Sequence, residues 1–397
     1  MTRTPSHRSQ VPSFQVMDIL GRVAQLRAEG RDIVSLCAGE PSGGAPQAVS
    51  AAAAAVHAGG AALTYTPALG LAQLRAAIAE HYRSWYSLDV QPAQVAVTTG
   101  SSGAFVLAFL AAFDAGDRVA LARPGYPAYR SILASLGCEL VDLDCGPETR
   151  YQPTVAMLEQ AHAQRPLAGL VVASPANPTG TMVSRDELTA LASWCAEQDV
   201  RLVSDEIYHG ITYPAAGEES SRGVCAWELD RDSVVVSSFS KYWGMTGWRL
   251  GWMLMPDDLA GAVDALAGNV ALCPPAPAQL ACLEAFSDEA YAECDAHVRE
   301  FASTRRLLLD RAPELGWGTA APADGAFYYY ADLGPQSERH GDSVAYARAL
   351  LEEAGVAVVP GVDFDAAHGS RTVRLSFAAG TAAVSTALDR ISAWQRS

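Results

Sequence analysis

An apolar, β-branched run, Val234-Val235-Val236, reads as a buried strand and is followed by Ser237-Ser238-Phe239-Ser240-Lys241. Eight positions beyond Lys241 stands Arg249, with Gly247 before it and Gly251 after it. Hydroxyls, an amine and a guanidinium gathered at a strand end suit a phosphate-bearing aldehyde. Lys241 would form the Schiff base, and Ser238 and Arg249 would hold the phosphate. A surface turn with a solvated lysine and arginine fits the same stretch taken alone.

The stretch has company. Ser-Phe-Ser-Lys followed by Met-Thr-Gly-Trp-Arg-Leu-Gly resembles the lysine motif of the fold-type I pyridoxal-phosphate aminotransferases, class I of the aspartate aminotransferase superfamily. Similar segments run from about residue 14 to residue 395. The resemblance implies pyridoxal 5'-phosphate as cofactor and an amino acid and a 2-oxo acid as substrates. It also implies a homodimer.

Asp205 follows the strand Arg201 to Ser204. A carboxylate there can pair with the pyridine nitrogen and keep the ring protonated, so that it absorbs the electrons of a carbanion. Tyr208 can donate its phenol to the ring's O3′. A helix cap at Asp205 with Tyr208 as packing is the plainer reading; the string Asp-Glu-Ile-Tyr resembles the family. Glu206 and His209 are read as structural.

Asn177 lies in Ser174-Pro175-Ala176-Asn177-Pro178-Thr179-Gly180, where two prolines stiffen the loop. Its amide can serve O3′ and a substrate carboxylate. Thr99-Gly100-Ser101-Ser102-Gly103 joins a strand to a helix expected from Ala104. Free N–H groups and the hydroxyls of Ser101 and Ser102 suit a phosphate there. Neither a dinucleotide GxGxxG nor a Walker lysine is present.

Tyr126 follows another strand, where the family places an aromatic against the ring. Tyr65, in Tyr65-Thr66-Pro67-Ala68-Leu69-Gly70, resembles the residue that reaches the phosphate of a neighbouring subunit. Arg374 stands alone in the apolar run Val373 to Phe377. It needs a partner there: a bidentate grip on the substrate α-carboxylate, or a buried acid. Gly39 resembles the position where the backbone approaches that carboxylate. Cys37 reads as packing filler and Arg371 as solvent-facing.

The elements that must carry these residues alternate. Strands are expected at Val95–Val97, Arg118–Leu121, Glu139–Leu143, Gly169–Ala173, Arg201–Ser204, Val234–Ser237 and Leu250–Met255, with helices between most of them. That pattern predicts an α/β fold: a mainly parallel sheet sandwiched by helices, with ligands at the strands' carboxyl ends. Phe14, Met17, Ile19, Leu20, Val23 and Leu26 recur at helical spacing, and Gly30 follows as a stop. A long helix is expected at Tyr291–Arg311, then strands at Phe327–Tyr330, Ala357–Val359 and Thr372–Ser376, with helices near 342–354 and 381–395. The domain expectation is an arm at 1–13, disordered or strapping, a large cofactor-binding domain at 48–290, and a smaller α/β domain. The resemblance makes the smaller domain discontinuous, from 14–47 plus 291–397.

The 397 residues carry a formal net charge of -16, half of them hydrophobic and 18% charged. That acidity argues against nucleic-acid and anionic-membrane partners. No apolar run approaches the roughly 20 residues of a membrane helix. The N-terminus is not expected to be a signal peptide, having no apolar core. Eight scattered cysteines show no CxxC pair or metal-ligand spacing. No metal is expected, and free thiols in a reducing cytoplasm are the simplest reading.

Two departures from the family pattern bear on substrate. Acid-selective relatives in the closest branch carry a lysine where this chain has Ser102. The segment Pro41-Ser42-Gly43-Gly44-Ala45-Pro46 has glycines where relatives often have an aromatic. Both point to an open, less cationic pocket and against strict dicarboxylate specificity. Two other readings stay open. One is a pyridoxal-phosphate lyase, cyclase or amino-acid oxidase of secondary metabolism, which would keep Lys241, Asp205 and Arg374. The other is the cofactor-sensing domain of a transcription regulator, disfavoured because only a short arm precedes Phe14.

Overall fold

The computed structural model describes residues 4–60, 62–214 and 222–397. Of the expected arm, residues 1–3 lie outside the described residues. The rest forms a 3-10 turn at His7–Ser9 and then runs beside Tyr126, Pro127 and Arg130, bordering a cavity with them through Pro12 and Ser13.

Helix α1 (Gln15–Ala28) is followed by a two-residue strand β1 (Val34–Ser35), α2 (Gln47–Ala58) and α3 (Ala72–Tyr86). Then strands and helices alternate: β2 (Val95–Thr98), α4 (Gly100–Ala112), β3 (Arg118–Arg123), α5 (Pro127–Leu136), β4 (Glu139–Asp144), α6 (Val155–Gln164), β5 (Gly169–Ala173), α7 (Arg185–Glu197) and β6 (Arg201–Asp205). β7 (Val234–Ser238) and β8 (Gly251–Leu254) complete the set, followed by α8 (Asp257–Val270) and α9 (Ala276–Ala281). The seven strands form one sheet in the order β2-β8-β7-β6-β5-β3-β4. β8 runs antiparallel to both neighbours and the other pairings are parallel.

Successive side chains of a strand point to opposite faces, so a sheet covered on both sides feeds two cores. Val95, Val97, Leu170, Val172, Leu202 and Val235 join one cluster with Leu188 and Leu191 of α7. Ala96, Val171, Val203, Val234 and Val236 join the other with Phe105 and Phe109 of α4 and Val263 of α8. Burial on both faces explains why these strands read as continuous apolar runs.

Beyond the sheet come α10 (Asp288–Arg311), β9 (Tyr328–Asp332), α11 (Pro335–His340), α12 (Ser343–Ala349), β10 (Val356–Ala357), β11 (Val359–Pro360), β12 (Thr372–Ser376) and α13 (Thr381–Arg396). β9, β11 and β12 make a small antiparallel sheet with β12 in the centre. β1 pairs in parallel with β10, Val34 opposite Val356. The start of the chain is thus built into its C-terminal part. The whole is an α/β fold with a large mixed sheet sandwiched by helices and a smaller α/β domain.

One boundary that differs from expectation bears on the site. α4 begins at Gly100, not Ala104, so Ser101 and Ser102 lie in its first turn. Gly and Ser are poor helix formers, but tertiary packing overrides propensity here. Gly100 has φ +73°, and a Cβ on it would lie 2.5 Å from Arg249 Nη2. Only glycine lets the guanidinium close on this helix start.

Candidate active site

The carboxyl ends of β2, β3, β5, β6 and β7 converge on one cavity of about 360 Å³. Its walls include Gly39, Ser101, Ser102, Tyr126, Asn177, Asp205, Tyr208, Lys241, Arg249 and Arg374. Residues more than three hundred positions apart are therefore neighbours.

Lys241 Nζ donates to Gly39 O at 2.7 Å. Burial lowers its pKa to about 8, against the pull of Glu40 and with help from Arg374 and Arg249. A near-neutral amine is what attack on a carbonyl needs. Lys241 is also the only lysine in the chain, a signal the motif reading did not use.

Asp205 ends β6, buried. Its Oδ2 accepts from the Tyr129 hydroxyl and its Oδ1 from Ile207 N–H at 3.1 Å. Burial raises its pKa to about 6; Tyr129 and Ile207 pull it back down. A cationic ring nitrogen would restore the charge that burial disfavours. Tyr129 was missed by sequence reasoning. It stands one helical turn after Tyr126, and nothing local ties it to a residue on another strand.

Tyr208 Oη lies 2.6 Å from Tyr328 Oη. Tyr328, also missed, fills the space beside Gly39, where a Cβ would come within 2.5 Å of its hydroxyl. Gly39 is thus a close approach of backbone to ring. Tyr126 is half-buried and meets Tyr129 edge-on at 5.3 Å.

Arg374 is 5% exposed, in the central strand of the small sheet. Its Nη1 donates to Asn177 Oδ1 at 2.9 Å and its Nη2 to Cys37 O at 2.8 Å. Its guanidinium stacks 4.5 Å from the Tyr328 ring and 4.8 Å from that of Phe364. Nε has no partner, and among the described residues no carboxylate lies within ion-pair distance. The buried-acid alternative thus finds no support among the described residues. A buried cation with neutral partners only is costly, and an anionic ligand relieves it.

The residues expected to cradle a phosphate come together at the first turn of α4, with Arg249 seated against Gly100. Arg249 holds a left-handed φ of 54° and donates to Thr246 O at 2.8 Å. Ser240, not Ser238, is the hydroxyl in the cavity wall. Ser238 Oγ is turned to Ser240 Oγ at 2.8 Å and Leu250 O at 3.2 Å. It sits one layer behind the wall. Tyr65 is the outlier: 79% exposed and absent from the wall. An arginine, helix-start N–H groups, hydroxyls, an amine and a buried carboxylate match the phosphate, aldehyde and ring nitrogen of pyridoxal phosphate group by group.

The other expectations sort simply. Cys37 is buried and its thiol is pushed up to about 12, chiefly by burial, as suits packing filler. Arg371 lies at the surface, 3.5 Å from Asp332. All eight cysteines are free. Residues 41–46 are absent from the cavity wall; Gly44 packs on Gly244 instead. Among the described residues no helix is long and apolar enough to cross a membrane, and no acidic, His or Cys group could hold a metal.

Comparison with known proteins agrees with this geometry. The family described as Aminotransferase class I and II matches residues 31–391. A valine–pyruvate aminotransferase of Mycobacterium tuberculosis is 52% identical over 395 residues, 99% of each chain. An aspartate/prephenate aminotransferase of Thermus thermophilus is 37% identical over 371 residues, 93% of this chain and 92% of the other. The crystal structure of an aminotransferase from Mycobacterium tuberculosis superposes with a TM-score of 0.93 at 52% identity, covering 99% of each chain. The chain therefore belongs to the class I and II aminotransferases, pyridoxal-phosphate enzymes of fold type I.

Proposed function

We propose that this aminotransferase takes the amino group of a neutral, apolar L-amino acid and passes it to a small 2-oxo acid such as pyruvate. The observation that carries the substrate class is the charge of the cavity. Its cations are Lys241, Arg249 and Arg374. Each has a task at the amine, the phosphate or the α-carboxylate. Among the described residues of this chain none is left for a second carboxylate. Phe14, Val16, Met17, Leu20 and Phe364 supply the apolar part of the wall. The 52% identical relative is a valine–pyruvate aminotransferase, which supports the same class.

When bound, pyridoxal phosphate supplies an aldehyde for the amino group and a ring that withdraws electrons from the substrate Cα. The protein's part is proton handling and orientation. Arg374 and the Asn177 amide hold the α-carboxylate. Lys241 Nζ would take the proton from the substrate Cα and, as the ammonium, give it back. Its lowered pKa keeps a useful fraction unprotonated near neutral pH. Asp205, steadied by Tyr129, keeps a proton on the ring nitrogen. Tyr208 would hold the ring hydroxyl, and Tyr126 would supply an aromatic partner for the ring. Ser101, Ser102, Arg249 and Ser238, through Ser240, hold the phosphate.

The same reading makes the enzyme a cytoplasmic homodimer. Exposed Tyr65 reaches the neighbour's phosphate, and residues 14–47 with 291–397 form the small domain against a large one at 48–290. Half-reactions with alanine, valine, leucine, phenylalanine, arginine, aspartate and glutamate, followed by cofactor absorbance and 2-oxo acid product, test the donor class. Strong selectivity for aspartate or glutamate, or a product other than the 2-oxo acid, would overturn it.

A further inference from the structure

Beside Phe364, the apolar wall of the cavity comes from Phe14 and the first two turns of α1, through Val16, Met17 and Leu20. The C-terminal half of that helix is well fixed. Val23 and Leu26 are buried in a cluster with Ile33, Leu351 and Phe364, and Arg22 pairs with Glu352 at 2.5 Å. The N-terminal half is held less firmly, since Val16, Ile19 and Leu20 pack against that cluster only as partly buried residues. Val16 and Leu20 are half-buried and Met17 is 60% exposed. Phe14 occupies the N-cap position and has no side-chain oxygen to offer. A helix start without a cap leaves its first N–H groups unpaired and frays.

The acceptor comes from the far end of the chain. Asp363 Oδ1 accepts from Gln15 N–H at 2.8 Å and Asp363 Oδ2 from Val16 N–H at 2.9 Å. Both oxygens are committed to the first turn of α1. A carboxylate is well placed there, because the helix start carries partial positive charge. Asp363 ends the turn Gly361–Asp363, which follows β11 directly, and β11 pairs with the strand that carries Arg374. The next residue, Phe364, stacks on the Arg374 guanidinium, and its carbonyl accepts from Gly125 N–H at 3.0 Å, beside Tyr126. One short segment therefore ties the α1 wall to the arginine and to the tyrosine loop.

We propose that Asp363 is a positioning residue for donor selection. It fixes the first turn of α1, so that Val16, Met17 and Leu20 present a set surface to the donor's side chain. This rests on the neutral-donor reading above. A methyl side chain buries little against such a wall, whereas branched or longer side chains bury more. Anchoring should therefore favour valine and leucine over alanine. One methylene in a fixed apolar pocket discriminates by roughly tenfold or more, and a fraying wall forfeits that.

The test compares Asp363→Ala and Asp363→Asn with the parent, all as holoenzyme. Half-reaction kcat/KM values are taken for alanine, 2-aminobutyrate, valine and leucine. Hydrogen exchange of α1 is read by mass spectrometry. Asp363→Ala should lower the valine-to-alanine ratio by roughly tenfold. It should also speed exchange in residues 15–20 while residues 23–28 keep the parent rate. Asp363→Asn retains one acceptor oxygen and should fall between, and it decides alone if the alanine variant does not fold. An unchanged ratio, or an equal loss on all four donors, overturns the proposal, as does unaltered exchange at 15–20. If the parent enzyme acts on no neutral donor, the donor class fails instead, and exchange then decides the anchoring by itself.

Discussion

The Tyr129 hydroxyl donates to the buried carboxylate of Asp205, while the backbone N–H of Ile207 holds the second oxygen. One donor comes from α5 and the other from two residues beyond the end of β6. Burial drives the Tyr129 phenol well above its ordinary range, so it stays a donor. A charge-assisted bond of this kind contributes about 1.5–3 kcal/mol. Tyr129→Phe leaves Asp205 easier to protonate and free to turn. Turnover should fall at least tenfold, and cofactor affinity should weaken in an absorbance titration. Unchanged values of both would remove Tyr129 from the mechanism.

Lys241 offers an unusually clean titration, because no other lysine competes. Burial costs the ammonium its hydration and brings the pKa down to about 8. An exposed lysine titrates near about 10.4. In cofactor-free protein, acylation of this side chain, separated from the N-terminal amine by mass spectrometry, should rise with pH and reach half its maximum near pH 8. A midpoint near 10 would show that the amine is hydrated. Lys241→Ala should lose the visible absorbance of the lysine-bound cofactor and nearly all turnover.

Among the described residues Arg374 holds only neutral acceptors and two aromatic faces. Arg374→Ala should raise the KM for the amino acid by about one to two orders of magnitude, the loss of a charge-assisted pair. The cofactor's absorbance should stay as in the parent. Arg374→Lys restores charge but not the fork and should recover activity only in part. Collapse of the cofactor spectrum would make Arg374 a structural residue.

Glu206 turns away from the cavity. Its Oε1 accepts from Ser204 Oγ at 3.0 Å and from Ala226 N–H at 2.8 Å. Burial raises its pKa to about 8, and burial lowers that of neighbouring His209 to about 3. Their 3.4 Å contact is therefore between neutral groups at pH 7, despite its ion-pair geometry. The native state keeps this proton up to about pH 8, whereas the unfolded chain releases it near about 4.3. The associated stability is complete below the unfolded value and is lost as pH rises through 8. Glu206→Gln does not titrate. Its Tm should match the parent near pH 5 and gain on it steadily towards pH 8.5. A constant difference across that range would refute the assignment.

Much of the site was legible because its chemistry sits in short strings that end strands. Lys241, Asp205, Asn177 and the Ser101 turn each follow an apolar run that both cores require, so the pattern of burial and the reactive residue lie side by side in the chain. The strands at Gly169–Ala173 and Thr372–Ser376 have the expected bounds, the one expected at Ala357–Val359 is split into β10 and β11 of two different sheets, and the others fall within about two residues of expectation. Ser238 was read from the same string, yet the structure puts Ser240 in the wall. Which hydroxyl faces the cavity depends on how the turn after β7 coils, and spacing alone does not encode it.

The sequence by itself determined the family, the alternation that builds the sheet, and the amine, carboxylate and guanidinium of the candidate site, because these follow from residue type and local period. Only the tertiary structure decided what surrounds them. Tyr129 on Asp205, Tyr328 beside Gly39, Asn177 on Arg374 and Asp363 at the start of α1 are contacts between segments as far apart as 348 residues. A hydrogen bond across that separation leaves no periodicity in the chain. It exists because folding brings two unsatisfied groups to one place, away from water, where each must find a partner.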